Sequence, residues 1–139
     1  AELNLPVIVH SRNAFDETME ILNAFEGKLK RVVFHCFGGD AVQAKYLVDR
    51  GYYISFTGVV TFKTATIARE AVAVVPLDRM MVETDCPYMS PEPMRKQKIN
   101  EPALMLHTAA KIAEVKGVPL KDIAAGVTAT TRAFFDFPA

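Results

Sequence analysis

Short apolar runs alternate with amphipathic segments along this chain. Each run is rich in β-branched or aromatic residues, and the segments between them place apolar residues at every third or fourth position. Continuous apolar runs are typical of strands buried on both faces, and their alternation with helical periodicity is typical of βαβ units. The pattern predicts an α/β fold with four parallel strands alternating with helices. The four runs cover residues 5–10, 31–35, 52–56 and 80–85.

Turn and capping residues set the expected helix limits. Gly27 is a natural stop for a helix that begins after Asn13, and Asp40 is a good N-cap for a helix that reaches Gly51. Pro76 should end a third helix. A helix capped by Asn100 should run to residue 117, and two short helices should follow over residues 119–125 and 128–135.

Three of the four predicted strands end in a residue type that binds metal ions. These residues are His10, His35 and Asp85. A lone histidine at a strand end is more often a hydrogen-bonded core residue, and an aspartate before a proline often only caps a turn. The carboxyl ends of parallel strands share one rim, however, and imidazole with carboxylate suits divalent ions. Three such residues on one rim therefore favour a metal site.

Asp85 has a second predicted role in this site. A bound metal ion lowers the pKa of its water, and a nearby carboxylate can accept the proton. Glu83 lies two residues earlier and should face the same side of the strand. It could contact the metal water, but we interpret it as a structural carboxylate.

The charge balance and the cysteine count indicate the compartment and the partners to expect. The chain has 139 residues, with sixteen basic residues balancing sixteen acidic ones, so contact with nucleic acid would need a local basic patch. Cys36 and Cys86 are too few for a disulfide framework and indicate a reducing cytoplasm. Apolar runs of membrane-spanning length are absent from the sequence, so we expect no membrane partner.

The motifs at the strand ends resemble, in the right order, those of the TatD family of metal-dependent deoxyribonucleases. The resemblance covers essentially the whole chain. It implies the C-terminal half, strands 5–8, of a TIM-type (β/α)₈ barrel from the metal-dependent hydrolase superfamily. The matching segments are residues 9–12, 34–37, 53–58, 83–88 and 100–102.

The resemblance also implies roles for individual residues. His10 and His35 would bind one metal ion, and Asp85 would bind the other and activate the attacking water. The ions would be Mg, Mn or Zn, two in the intact family site, and the substrate would be DNA or another nucleic acid. The residues implied to contact the substrate are Arg12, Arg95, Asn100 and Glu101.

The chain also departs from the family pattern. The family's His-x-His pair and its bridging Glu do not occur in this sequence, and Arg95-Lys96-Gln97-Lys98 stands where Arg-Gly-Lys is usual. A whole TIM barrel takes roughly 250 residues, so we expect residues 1–139 to form a single partial barrel domain that lacks its N-terminal half. Its open sheet edges should be covered by a homodimer or by a complementary half-barrel.

Three functions remain open on the sequence. The first is a metal-dependent phosphodiester hydrolase of the TatD type, impaired when this chain is alone. The second is another metal-dependent hydrolase, acting on amides or lactones. The third is a non-catalytic half-barrel fragment or assembly module.

Overall fold

The computed structural model describes residues 1–138, and Ala139, the last residue of the predicted domain, lies outside the described residues. Four parallel strands form one sheet in sequential order, β1-β2-β3-β4. The strands are β1 (Val7–His10), β2 (Val32–His35), β3 (Tyr53–Phe56) and β4 (Met80–Val82). Sequential order with every pair parallel requires a crossover after each strand, which the helices provide.

Residues 1–138 contain five α-helices. The α2 helix begins after Asp40, whose carboxylate accepts a hydrogen bond from the main-chain N–H of Gln43 in a capping box. The α4 helix ends at Gly117, which adopts the left-handed conformation. The helices are α1 (Phe15–Asn23), α2 (Ala41–Asp49), α3 (Thr66–Val74), α4 (Met105–Lys116) and α5 (Leu120–Phe135).

Each face of the sheet has its own apolar cluster. The larger cluster lies between the sheet and the helices and includes Phe34, Ile54 and Ile112. On the inner face, which would line a barrel, Phe134 packs with Val33 and Met81. The adjacent tyrosines divide between these clusters, with Tyr52 on the helix side and Tyr53 on the inner face. The predicted α/β fold is confirmed.

The two short helices predicted near the end of the chain are a single helix, α5. Gly126 does not interrupt it, because glycine inside a helix costs only about 1 kcal/mol. Close packing explains the glycine, since a Cβ at this position would lie 3.2 Å from Leu77 Cδ1. One turn later, the hydroxyl of Thr130 donates to the carbonyl of Leu77 at 2.8 Å. Helix α5 therefore crosses the turn before β4 at close range.

Strand β4 is shorter than the sequence predicts. The N–H of Glu83 still donates to the carbonyl of Phe56 at 3.0 Å, but the strand ends at Val82. Beyond Phe56 the neighbouring chain turns into a 3₁₀ helix at Gly58–Thr61, so Thr84 and Asp85 have no strand beside them. Asp85 therefore lies in a loop, three residues past the strand.

The N-cap predicted at Asn100 is also wrong. A 3₁₀ turn at Pro102–Leu104 follows Glu101 and leads into α4. Asn100 is buried, and its side-chain amide donates to the carbonyl of Tyr88 at 2.7 Å. Among residues 1–138, no helix combines the length and the apolar composition that a membrane crossing requires.

Candidate metal site at the strand ends

The two predicted histidine ligands are neighbours at the carboxyl edge of the sheet. His10 and His35 are the last residues of β1 and β2 and are direct partners in the parallel register. Their ring centroids lie 5.4 Å apart. Short strands of equal length that both end in histidine therefore place two imidazoles within reach of one ion.

Glu83 is bonded to the second histidine. Its Oε1 lies 3.0 Å from Nδ1 of His35 and 2.6 Å from the main-chain N of Cys36. Both side chains are about three-quarters covered, with exposures of 24% for His35 and 28% for Glu83. This carboxylate therefore joins the end of β4 to the end of β2.

Asp85 begins a loop that is tied down by main-chain contacts. Its carbonyl accepts from the N–H of Tyr88 at 2.8 Å, and the carbonyl of Pro87 accepts from the N–H of Asn100 at 2.9 Å. Together with the Asn100 side chain, these bonds anchor the start of the loop to its end. The half-buried Asp85 is thereby held at the rim although it lies outside the strand.

An open cavity of about 700 Å³ lies at this rim. His10 and Asp85 both line it, from opposite ends of the sheet order. Arg12 lines it as well, on the loop after β1, and its side chain is exposed. The structure thus brings two predicted metal ligands, His10 and Asp85, and one predicted phosphate contact, Arg12, to a common space.

The other predicted substrate residues are placed differently. Arg95 is exposed, and its guanidinium carbon lies 3.7 Å from the centroid of the Phe62 ring, outside the residues that line the cavity. Glu101 is exposed at the start of the turn before α4. Asn100 is only 3% exposed and holds the loop, so its side chain is turned into the protein. The substrate roles of these residues stay predictions.

The loop after β2 places a thiol beside the carboxylates. Cys36 has a positive φ of 46°, and its Sγ lies 3.6 Å from Oγ1 of Thr57. Burial raises the pKa of the Cys36 thiol, and the hydrogen bond with Thr57 opposes that effect. The negative charges of Asp85 and Glu83 raise the pKa further.

The donor set fits part of a metal site. Imidazole and carboxylate are suitable ligands for divalent ions, and His10 with His35 could hold one ion. Within residues 1–138, however, no group of three or more His, Cys, Asp or Glu side chains is close enough to hold a metal ion. The described part of the chain therefore supplies candidate ligands without completing a ligand set.

Sequence reasoning identified Glu83 but did not anticipate its contact with His35. Alternation along a strand indicates which face a residue occupies, but only the strand order shows that the end of β4 can reach the end of β2. The contact between Thr57 and Cys36 was missed entirely. Its one sequence signal is that both residues directly follow a predicted strand.

Comparison with known proteins identifies the family. A family model described as TatD related DNase matches residues 1–136. An uncharacterized metal-dependent hydrolase of Escherichia coli, YcfH, is 46% identical over 123 residues, covering 88% of this chain and 46% of the relative. The 3'-5' ssDNA/RNA exonuclease TatD of Shigella flexneri is 34% identical over 139 residues, covering 97% of this chain and 54% of the relative.

A solved structure also matches almost the whole chain. The TatD homologue YJJV of Escherichia coli superposes with a TM-score of 0.89 at 31% identity, covering 99% of this chain and 52% of that protein. The chain thus spans about half the length of the relatives it matches. The resemblance seen in the sequence motifs is confirmed, and the chain belongs to the TatD-related DNase family.

Proposed function

We propose that this chain contributes to a metal-dependent phosphodiester hydrolase that acts on DNA or another nucleic acid. The observation that carries the proposal is the register pairing of His10 with His35 at a rim whose cavity is lined by His10, Arg12 and Asp85. The naming of a Shigella flexneri relative as an ssDNA/RNA exonuclease supports the substrate class.

Each residue has a stated part in this proposal. A bound divalent ion, Mg, Mn or Zn, supplies Lewis-acid stabilisation of phosphate oxygens and makes water more acidic. His10 and His35 would hold one of two ions through their imidazoles. Asp85 would help to hold the other and would accept a proton from the attacking water. Arg12 orients a substrate phosphate, and Arg95 and Glu101 line the path of the nucleic-acid strand. Asn100 shapes that path by holding the loop that begins at Asp85.

The proposed site needs a partner surface, because the described residues supply too few ligands. An apolar groove of about 900 Å³ lies between α4 and α5 beside the edge strand β4, with Val82, Leu106 and Val127 among its lining residues. At the other edge, Ile8 of β1 is 59% exposed. Both edges can accept a further strand, and we propose that a complementary half-barrel or a second copy of this chain covers them.

A metal titration tests the histidine assignment. Calorimetry with Mn²⁺ should show weak binding to the purified chain, and His35→Ala should abolish it. His107→Ala is the matched control, because His107 lies in the first turn of α4, outside the residues that line the rim cavity, and should leave binding unchanged. Equal affinity of the wild-type chain and His35→Ala would overturn the assignment.

An activity assay tests the substrate class. Single-stranded DNA should be degraded slowly in Mn²⁺, and a chelator should stop the reaction. Chelator-resistant cleavage would contradict the proposal. A panel of amide and lactone substrates separates the phosphodiesterase from the alternative hydrolase, which would cleave those substrates and leave DNA intact.

The second candidate is a non-catalytic assembly module. The incomplete ligand set within residues 1–138 favours it. This candidate predicts that the chain forms a stable dimer or half-barrel complex in sedimentation experiments, while DNA remains intact at every metal concentration. A metal-dependent nuclease signal that is lost in His35→Ala would exclude it.

A further inference from the structure

A single oxygen atom of Glu83 lies between two nitrogen atoms. Oε1 is 2.6 Å from the main-chain N of Cys36 and 3.0 Å from Nδ1 of His35. A main-chain N–H can only donate a hydrogen bond, so Oε1 must accept from Cys36. A bond between the same acceptor oxygen and the histidine ring then requires the proton to lie on Nδ1.

The position of that proton decides what the other side of the ring can do. In neutral imidazole one nitrogen carries a proton and the other carries a lone pair. With Nδ1 donating to Glu83, the lone pair of His35 lies on Nε2. We propose that Glu83 is a positioning residue that fixes the tautomer and orientation of His35, so that Nε2 is the atom available to a divalent cation.

The strand order explains how this contact can form. Strand β3 lies between β2 and β4, so the backbones that carry His35 and Glu83 are separated by about 10 Å. Their side chains must meet above β3. Ser55 is the residue of β3 after Ile54, the register partner of Phe34, and it is 3% exposed. Its short side chain leaves room for the two longer ones to meet.

The main chain also holds the carboxylate in place. The N–H of Glu83 donates to the carbonyl of Phe56, so the residue keeps strand geometry one position beyond β4. Period-two alternation then places Glu83 on the inner face with Met81. The His35 ring is thereby oriented by a group anchored in the sheet, rather than by a mobile loop.

Nitrogen NMR of the metal-free chain tests this inference directly. Two-bond ¹H–¹⁵N correlation spectra of ¹⁵N-histidine-labelled protein should show His35 as the Nδ1–H tautomer. The spectra of His10 and His107 provide internal references. A wild-type His35 that carries its proton on Nε2 would overturn the inference without any variant.

Two variants separate positioning from simple structural support. Glu83→Gln retains an oxygen that can accept from both Cys36 and His35, so the Nδ1–H tautomer should persist. Glu83→Leu removes the acceptor, so the His35 signal should shift toward the Nε2–H form, while His10 and His107 stay unchanged. An unchanged His35 tautomer in folded Glu83→Leu would contradict the inference.

A metal titration extends the test and rests on the proposed function. Residues that orient a metal-binding histidine typically contribute about ten- to 100-fold in affinity, so Glu83→Leu should weaken Mn²⁺ binding by that factor and Glu83→Gln by less. Equal Mn²⁺ affinity in wild type and Glu83→Leu would overturn the metal part of the inference. Absence of Mn²⁺ binding in the wild-type chain would count against the proposed function, while the NMR result would still decide the tautomer.

Discussion

Replacing Phe134 with alanine removes the fully buried aromatic ring of the inner-face cluster. The ring is 0% exposed and packs edge-on against Tyr53 at 5.0 Å and against Phe135 at 4.8 Å between centroids. Burial of a phenylalanine contributes about 1.5–3 kcal/mol, and each aromatic pair adds about 0.5–1.5 kcal/mol. Truncation of a core phenylalanine costs about 3–5 kcal/mol, so we expect a loss of that size in the free energy of unfolding.

Urea unfolding followed by far-ultraviolet circular dichroism measures this loss, since the chain has no tryptophan to report on it. Phe137→Ala is the matched control, because Phe137 is 58% exposed; its truncation loses the stacking contact with Phe135 at 5.5 Å and should cost no more than about 1.5 kcal/mol. Phe134→Leu retains apolar volume and should fall between the two. If Phe134→Ala cost no more than Phe137→Ala, the C-terminal end of α5 would not close the inner face as described.

Two further predictions concern the C-terminal ion pair and a helix end. Arg31 and Lys30 donate to the carboxylate of Asp136 at 2.5 and 2.6 Å, and these bonds hold the pKa of Asp136 well below its ordinary value of 3.8. A carboxylate whose pKa is depressed in the folded state stabilises the fold at pH values above its ordinary pKa, and this stabilisation is lost as the pH falls below that value. Asp136→Asn should therefore destabilise the chain equally at about pH 5 and pH 7, and by less below about pH 4 or in high salt. A difference in urea midpoints that does not change with pH would refute the assignment. Gly117 ends α4 with φ 67°, and a Cβ added there would meet open space. Gly117→Ala should therefore cost about 1 kcal/mol in thermal unfolding, from backbone strain alone. Gly38→Ala is the control, because Gly38 also faces open space but has no positive φ and its replacement should cost much less; equal losses would contradict this explanation.

The residues at the strand ends show which parts of the candidate site can be predicted from local sequence. Apolar runs ending in His10 and His35 predicted two strands and their final residues, and the register confirms both ends. Asp85 was expected on a strand because the run from Met80 continues toward it. Its strand ends earlier, since pairing depends on a neighbour that turns away after Phe56. The limits of a strand are therefore set by its partner.

The helix at the end of the chain gives the same lesson. The sequence predicted two short helices on either side of Gly126, yet the close contact of Gly126 with Leu77 favours one continuous helix. In contrast, the helix end at Gly117 and the cap at Asp40 were confirmed, because both depend on bonds within a few residues. Local hydrogen bonding is readable from the sequence, whereas a helix that is stabilised by distant packing is not.

For this protein, the order of apolar runs and helical periods by itself determined the parallel α/β arrangement, and the motifs determined the family. Tertiary structure alone decided which side chains meet: Glu83 reaches His35 across β3, and Phe134 closes the inner face from the far end of α5. The physical reason is the sequence separation over which each interaction acts. Periodicity and capping depend on neighbours in sequence, while these contacts depend on strand order and on the size of the residue between them.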